Sequence, residues 1–152
     1  MPQAATFDTT AAHRFFAAQC FNNAWTLIEK AVRTPDEDEQ MLRLAQASMW
    51  HWTQREDCKD PNLSIGYWQL ARVCALLKRA DDARRYGELS LRYTSADEPF
   101  QLAYAHEALA RAAKIAGDRA ECGKHLERAT KLAESIGEPD DRKLLLDDLA
   151  TI

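Results

Sequence analysis

Apolar residues in this chain recur at helical spacing and nowhere alternate with period two, so helices are expected and a sheet is not. Residues 9–32 are apolar around most of a helix circumference. Ala17, Phe21, Ala24 and Ile28 follow 4-3-4 spacing, and Phe16, Cys20, Leu27 and Ala31 make an adjacent stripe. So wide a stripe needs more than one neighbour to cover it. Met41, Ala45, Ser48 and Trp52 mark the inward face of a second helix running to about Glu56. Leu63, Tyr67, Leu70, Cys74 and Leu77 mark a third, and Ala83, Tyr86, Leu89 and Ser90 a fourth. A fifth runs to Ala116 and a sixth ends at Gly137. In a seventh, Leu144, Leu145, Leu149 and Ile152 form a sealing face.

The polar residues between these runs supply the boundaries. Thr34-Pro35-Asp36-Glu37 reads as a capping box with proline at the first helical position. Asp36 to Glu39 place negative charge at the positive end of that helix. Asp60-Pro61, Asp97-Glu98-Pro99 and Pro139-Asp140-Asp141 open three more helices. Gly117 is a left-handed stop and Asp118 caps the sixth helix. The chain therefore reads as one all-α domain. A flexible arm over 1–8 precedes hairpins at about 9–56, 61–95 and 98–136, and a capping helix at about 139–150 closes the stack.

One hairpin pattern is written twice, 39 residues apart. Leu70-Ala71, Cys74, Ala83, Tyr86 and Ser90 align with Leu109-Ala110, Ala113, Cys122, His125 and Ala129. Small residues recur where two helices must approach, and larger ones where the groove between them is filled. A repeated hairpin cannot bury its apolar face alone and must stack on neighbours. With Tyr67, Leu70, Ala71, Ala83 and Ser90 in the first copy and Leu109, Ala110, Gly117-Asp118 and Ala129 in the second, residues 62–136 resemble tetratricopeptide repeats. The second copy departs at His106, where an aromatic belongs, and at Cys122, where an alanine belongs. Neither copy ends in proline, and the period is 39 rather than about 34. Over its whole length, including Arg14-Phe15-Phe16-Ala17-Ala18-Gln19-Cys20 and His51-Trp52, the chain resembles uncharacterised bacterial cytosolic tetratricopeptide-like proteins. The resemblance implies a right-handed α-α superhelix with a concave binding face. It implies no activity and no particular ligand.

Composition narrows the classes further. The net charge of −4 gives no basic face for phosphate, so nucleic acid is not an expected partner. Residues 72–92 carry six Lys/Arg against three Asp/Glu, a modest excess that reads as a solvated helix face. No apolar run approaches the roughly 18–20 residues that span a bilayer. The N-terminus lacks the basic and apolar regions of a secretory signal. Four widely spaced cysteines read as thiols of a cytoplasmic protein.

Catalytic motifs fail on inspection. His106-Glu107-Ala108-Leu109-Ala110 starts like a zinc-protease helix, but the second histidine is replaced by Ala110. Gly117 to Lys124 has the wrong spacing for a phosphate loop and follows no strand. No metal and no cofactor are expected. One constellation stands out across the second, third and fifth helices: His51, Asn62, Trp68, Arg72, Tyr104 and Glu107. Trp68 and Arg72 are four apart and adjacent on a helix, a cation–π spacing. Aromatics with an arginine suit a protein- or peptide-binding groove, with Arg72 meeting a carboxylate and Trp68 and Tyr104 giving apolar anchors. Two rivals come from other classes: a small-molecule binder or enzyme pairing His51 with Glu107, and a homodimer joined through its end helices. The plainest alternative is packing, with Trp68 and Tyr104 in the core and Arg72 ion-paired to Glu107.

Overall fold

The computed structural model describes residues 6–152. Seven helices follow one another among them: α1 (Thr9–Ile28), α2 (Pro35–Thr53), α3 (Asp60–Leu76), α4 (Ala80–Arg92), α5 (Pro99–Ala116), α6 (Arg119–Ala133) and α7 (Pro139–Leu149). No strand occurs among the described residues. Of the expected arm, residues 1–5 lie outside the described residues. Asp8 belongs to the start of α1, where its Oδ1 accepts from the Ala11 N–H at 2.9 Å.

The helix starts follow the capping chemistry. At Thr34 the box is complete: Glu37 N–H donates to Thr34 Oγ1 at 3.2 Å, and Thr34 N–H donates to Glu37 Oε2 at 2.9 Å. The start of α3 lies one residue earlier than the Asp60-Pro61 reading, with Lys59 at the cap position. Asn62 reaches back from the first turn, and its Oδ1 accepts from the Lys59 N–H at 3.0 Å.

Helix ends differ more. α1, α2, α4 and α6 stop at Ile28, Thr53, Arg92 and Ala133, about a turn before the expected ends. None has a glycine directly at the stop; Gly137, expected to end α6, lies four residues past Ala133. Each tightens instead into short-range bonds that use up its last carbonyls. Examples are Lys30 N–H to Leu27 O at 3.2 Å, Arg55 N–H to Trp52 O at 3.1 Å and Ser135 N–H to Leu132 O at 3.0 Å. α5 is the contrast. Gly117 takes φ 77°, and the Asp118 N–H closes back to Ala113 O at 3.0 Å. Thirty-nine residues earlier the same closure, Arg79 N–H to Cys74 O at 2.9 Å, runs through Lys78 at φ 61°.

The hairpins α1–α2, α3–α4 and α5–α6 stack through α2 on α3, α4 on α5 and α3 on α5, and α7 closes the end against α5 and α6. A shared tie fixes the register of the first two hairpins. Ser48 Oγ donates to Ala17 O at 2.7 Å, and Ser90 Oγ donates to Ser64 O at 3.0 Å. In the third hairpin the positions equivalent to Ser64 and Ser90 are Ala103 and Ala129, both fully buried. α5 sits at the centre and buries Ala103, Ala105, Ala108, Ala110 and Ala112. Its side chains are small because it must meet α3, α4, α6 and α7 at once. Gly87 of α4 lies so close to α5 that a Cβ there would stand 2.9 Å from Leu109 Cδ2.

α1 touches α3 only sparsely. The buried Gln69 secures that gap, donating through Nε2 to the Phe21 carbonyl at 3.0 Å. On α2 the buried position expected for Trp52 belongs to Met49. Trp52 is half-buried under the Arg55 guanidinium, 4.0 Å from the ring centroid. All four cysteines are free thiols, and burial pushes Cys74 up to about 11. No helix among the described residues is long and apolar enough to cross a membrane.

Lys78 holds a left-handed conformation that costs an L-residue roughly 1–2 kcal/mol, while glycine adds roughly 0.5–1 kcal/mol of backbone entropy. Lys78→Gly is therefore expected to stabilise the protein by about 0.5–1 kcal/mol, read as a higher midpoint in urea. An unchanged or lower midpoint would count against the left-handed stop.

Candidate functional site

Stacking hairpins with a 39-residue period sets residue n of α3 against residue n+39 of α5. Trp68 thus faces Glu107, and Arg72 faces Arg111. Glu107 is fully buried, and three donors converge on its carboxylate. Trp68 Nε1 donates to Oε2 at 3.0 Å and Arg72 Nη1 to Oε1 at 2.8 Å. Arg111 Nε, one turn along α5, also donates to Oε1. The expected Arg72–Trp68 stack is not formed, because both side chains turn to this shared acceptor. Removing a carboxylate from water is costly, and only charged partners with several hydrogen bonds offset that cost.

The network continues into the last helix. Arg111 Nη2 donates to Asp148 O at 3.0 Å and to Thr151 Oγ1 at 2.8 Å. Tyr104 OH donates to Asp148 Oδ2 at 2.6 Å. Burial, reinforced by that bond, pushes the Tyr104 hydroxyl far above its ordinary range. Burial pulls the Arg72 guanidinium below its usual value, with the nearby Arg111 adding to the effect. Arg72 Nε is buried and has no hydrogen-bond partner among the described residues.

Above the network lies an open groove of about 460 Å³. The odd-numbered helices supply nearly all of its walls: Trp25 and Ile28 from α1 with Glu29 at its C-cap, Ile65, Trp68 and Arg72 from α3, Phe100, Gln101 and Tyr104 from α5, Leu144 and Asp148 from α7. The rings form a continuous chain. Trp25 and Trp68 centroids lie 5.4 Å apart at 34°, Trp68 and Tyr104 5.5 Å apart at 78°, and Phe100 and Tyr104 5.0 Å apart at 69°. The sparse contact between α1 and α3 leaves the room that the groove occupies.

Three of the expected site residues, Trp68, Arg72 and Tyr104, line this groove, and Glu107 lies beneath it. His51 and Asn62 do not belong to it. His51 lies on the far side of α2, with its Nδ1 2.8 Å from His13 Nδ1 and its ring against Phe16 and Trp50. Burial, then the neighbouring His13, lowers its proton affinity. A second histidine pair spans the third hairpin, His106 and His125, with Nδ1 atoms 3.0 Å apart. It stands where the second hairpin stacks Tyr67 on Tyr86. Burial, then His125, pulls His106 down to about 4. Asn62 is engaged in the first turn of α3, where its side chain accepts from the Lys59 N–H, and borders a separate cavity of about 180 Å³ beside Trp52. The pairing of His51 with Glu107 is therefore not made, and the carboxylate that Arg72 meets is the chain's own.

Trp25, Phe100, Arg111, Leu144 and Asp148 were not expected at the site from sequence; Leu144, expected in the sealing face of α7, instead stands exposed at the groove. Two of them carry a local signal. Trp25 and Glu29 are four apart, and Trp25 Nε1 donates to Glu29 Oε1 at 2.8 Å. Arg111 is both four residues from Glu107 and one period from Arg72. Leu144 and Asp148 depend on where α7 docks, which no local spacing reports. No family model, curated protein or solved structure matches the chain.

Replacing Glu107 by glutamine keeps its shape and leaves two guanidiniums facing each other. Glu107→Gln is expected to cost about 3 kcal/mol of unfolding free energy, measured by denaturant titration. A loss under about 1 kcal/mol would mean that the carboxylate does not organise the stack.

Proposed function

We propose that this protein is a non-catalytic binding module of tetratricopeptide-like architecture, a cytoplasmic scaffold that receives an apolar stretch of a partner protein in the groove. One observation carries the reading. The aromatic rings around the groove have their polar edges tied to the chain's own carboxylates, through Trp25–Glu29, Trp68–Glu107 and Tyr104–Asp148. What remains for a partner is apolar surface, with Ile65 and Leu144 40% and 53% exposed at the rim. Aromatic anchors on rigid helices provide contact area at low entropy cost, which is how binding hot spots are built. Apart from Arg72 Nε, the polar groups of the network beneath are occupied by one another, and among the described residues no acid–base pair at the groove is left poised for substrate.

Selection of displayed peptides on the immobilised protein tests this. Enriched sequences are expected to be rich in apolar residues. They are expected to lose at least about ten-fold in affinity on Ile65→Glu, which places a charge at the rim of an apolar site. The circular dichroism of the variant should be unchanged, since Ile65 lies at the surface. Enriched peptides that bind both proteins equally, or no enrichment at all, would contradict the proposal.

A further inference from the structure

The groove's electrostatics narrow its ligand. Trp25 Nε1 donates to Glu29, Trp68 Nε1 to Glu107 and Tyr104 OH to Asp148, at 2.8, 3.0 and 2.6 Å. A carboxylate on the positive edge of an aromatic ring polarises it and makes the potential above its face more negative. Three such rings border one cavity. Trp68 and Tyr104 meet edge to face at 78°, and Trp25 lies against Trp68 at 34° with ring centroids 5.4 Å apart. Aromatic lining polarised in this way favours a cation, most of all one with a greasy, weakly hydrated shell.

The charges agree. Around the groove and its floor stand three carboxylates, Glu29, Glu107 and Asp148, against two guanidiniums, Arg72 and Arg111, a net of −1 among the described residues. Arg72 is the one cation that the described residues place in the lining, and its Nη1 pairs at 2.8 Å with Glu107, which it shares with Arg111. An incoming anion meets a guanidinium already paired and two lining carboxylates, Glu29 and Asp148. Ile65 and Leu144 flank the entrance and suit the methylene stem behind a charged head.

We infer that the groove accepts the ammonium end of a lysine-type side chain, plain or methylated, presented by a partner among apolar residues. This rests on the peptide-binding reading and specifies its anchor.

The test uses the full chain, labelled with ¹⁵N, and follows the indole N–H resonances of Trp25 and Trp68. The probes are Nα-acetyl-lysine N-methylamide, its Nε-trimethyl derivative, the norleucine analogue that lacks the ammonium, the glutamate analogue, and choline. The lysine and trimethyl-lysine probes are expected to shift both indole signals and to bind at least about five-fold more tightly than norleucine. The glutamate probe is expected to bind more weakly still. Glu29→Gln, a change at an exposed position, is expected to reduce the preference for the lysine probes over norleucine. If norleucine shifts the same resonances with equal or greater affinity, the cation inference is overturned and the apolar groove stands. Choline binding more tightly than trimethyl-lysine would assign the site to a small quaternary amine and overturn the peptide source. If no probe moves either indole signal, both this inference and the groove reading fall.

Discussion

Glu107 is the constraint on which the rest depends. A fully buried carboxylate is tolerated only if donors surround it, and here they come from α3 and from α5 itself. That requirement locks the second hairpin onto the third in one register. It also turns the N–H edge of Trp68 toward α5, while the ring lines the groove between Trp25 and Tyr104. Through Arg111 the same network reaches the carbonyl of Asp148 and the side chain of Thr151 and holds the C-terminal helix in place. The groove exists because α7 is held there and because α1 stands off from α3.

The repeat explains how such a centre arises. Two hairpins of one pattern set equivalent positions against each other. Equivalent residues would put Trp68 on another tryptophan and Arg72 on another arginine. The chain keeps the second pairing and breaks the first. Arg72 and Arg111 stand one period apart, and the carboxylate between them occupies the tryptophan's equivalent position. The same divergence replaces the Tyr67–Tyr86 stack with the His106–His125 pair, and the glycine stop at Gly117 with Lys78. The copies share a backbone plan and differ wherever a side chain meets its neighbour.

Much of this was legible in the sequence because it is local. The Thr34 box, the Gly117 stop, the Asp118 cap and the apolar stripes rest on contacts within about one turn. The repeat carried Trp68, Arg72 and Glu107 into one neighbourhood. His51 was misplaced because a position one residue from a presumed inward Trp52 lies about 100° around the helix, and Met49 rather than Trp52 faces inward. Asn62 was claimed by backbone donors at the helix start. Asp148 and Leu144 were out of reach, since their role is set by how α7 docks on α5 and α6. The ends of α1, α2 and α4 were extended too far because no glycine marks them, and that of α6 because Gly137 was taken as its stop although the helix ends at Ala133.

A double-mutant cycle between Arg72 and Glu107 tests the central claim most directly. The wild type, Arg72→Met, Glu107→Gln and the double variant would be compared by urea denaturation. Side chains in direct contact through a buried ion pair couple, and an interaction of about 1.5–3 kcal/mol is expected, with the double variant less destabilised than the sum of the singles. Additive losses, with coupling below about 0.5 kcal/mol, would show that the carboxylate does not tie the two hairpins together.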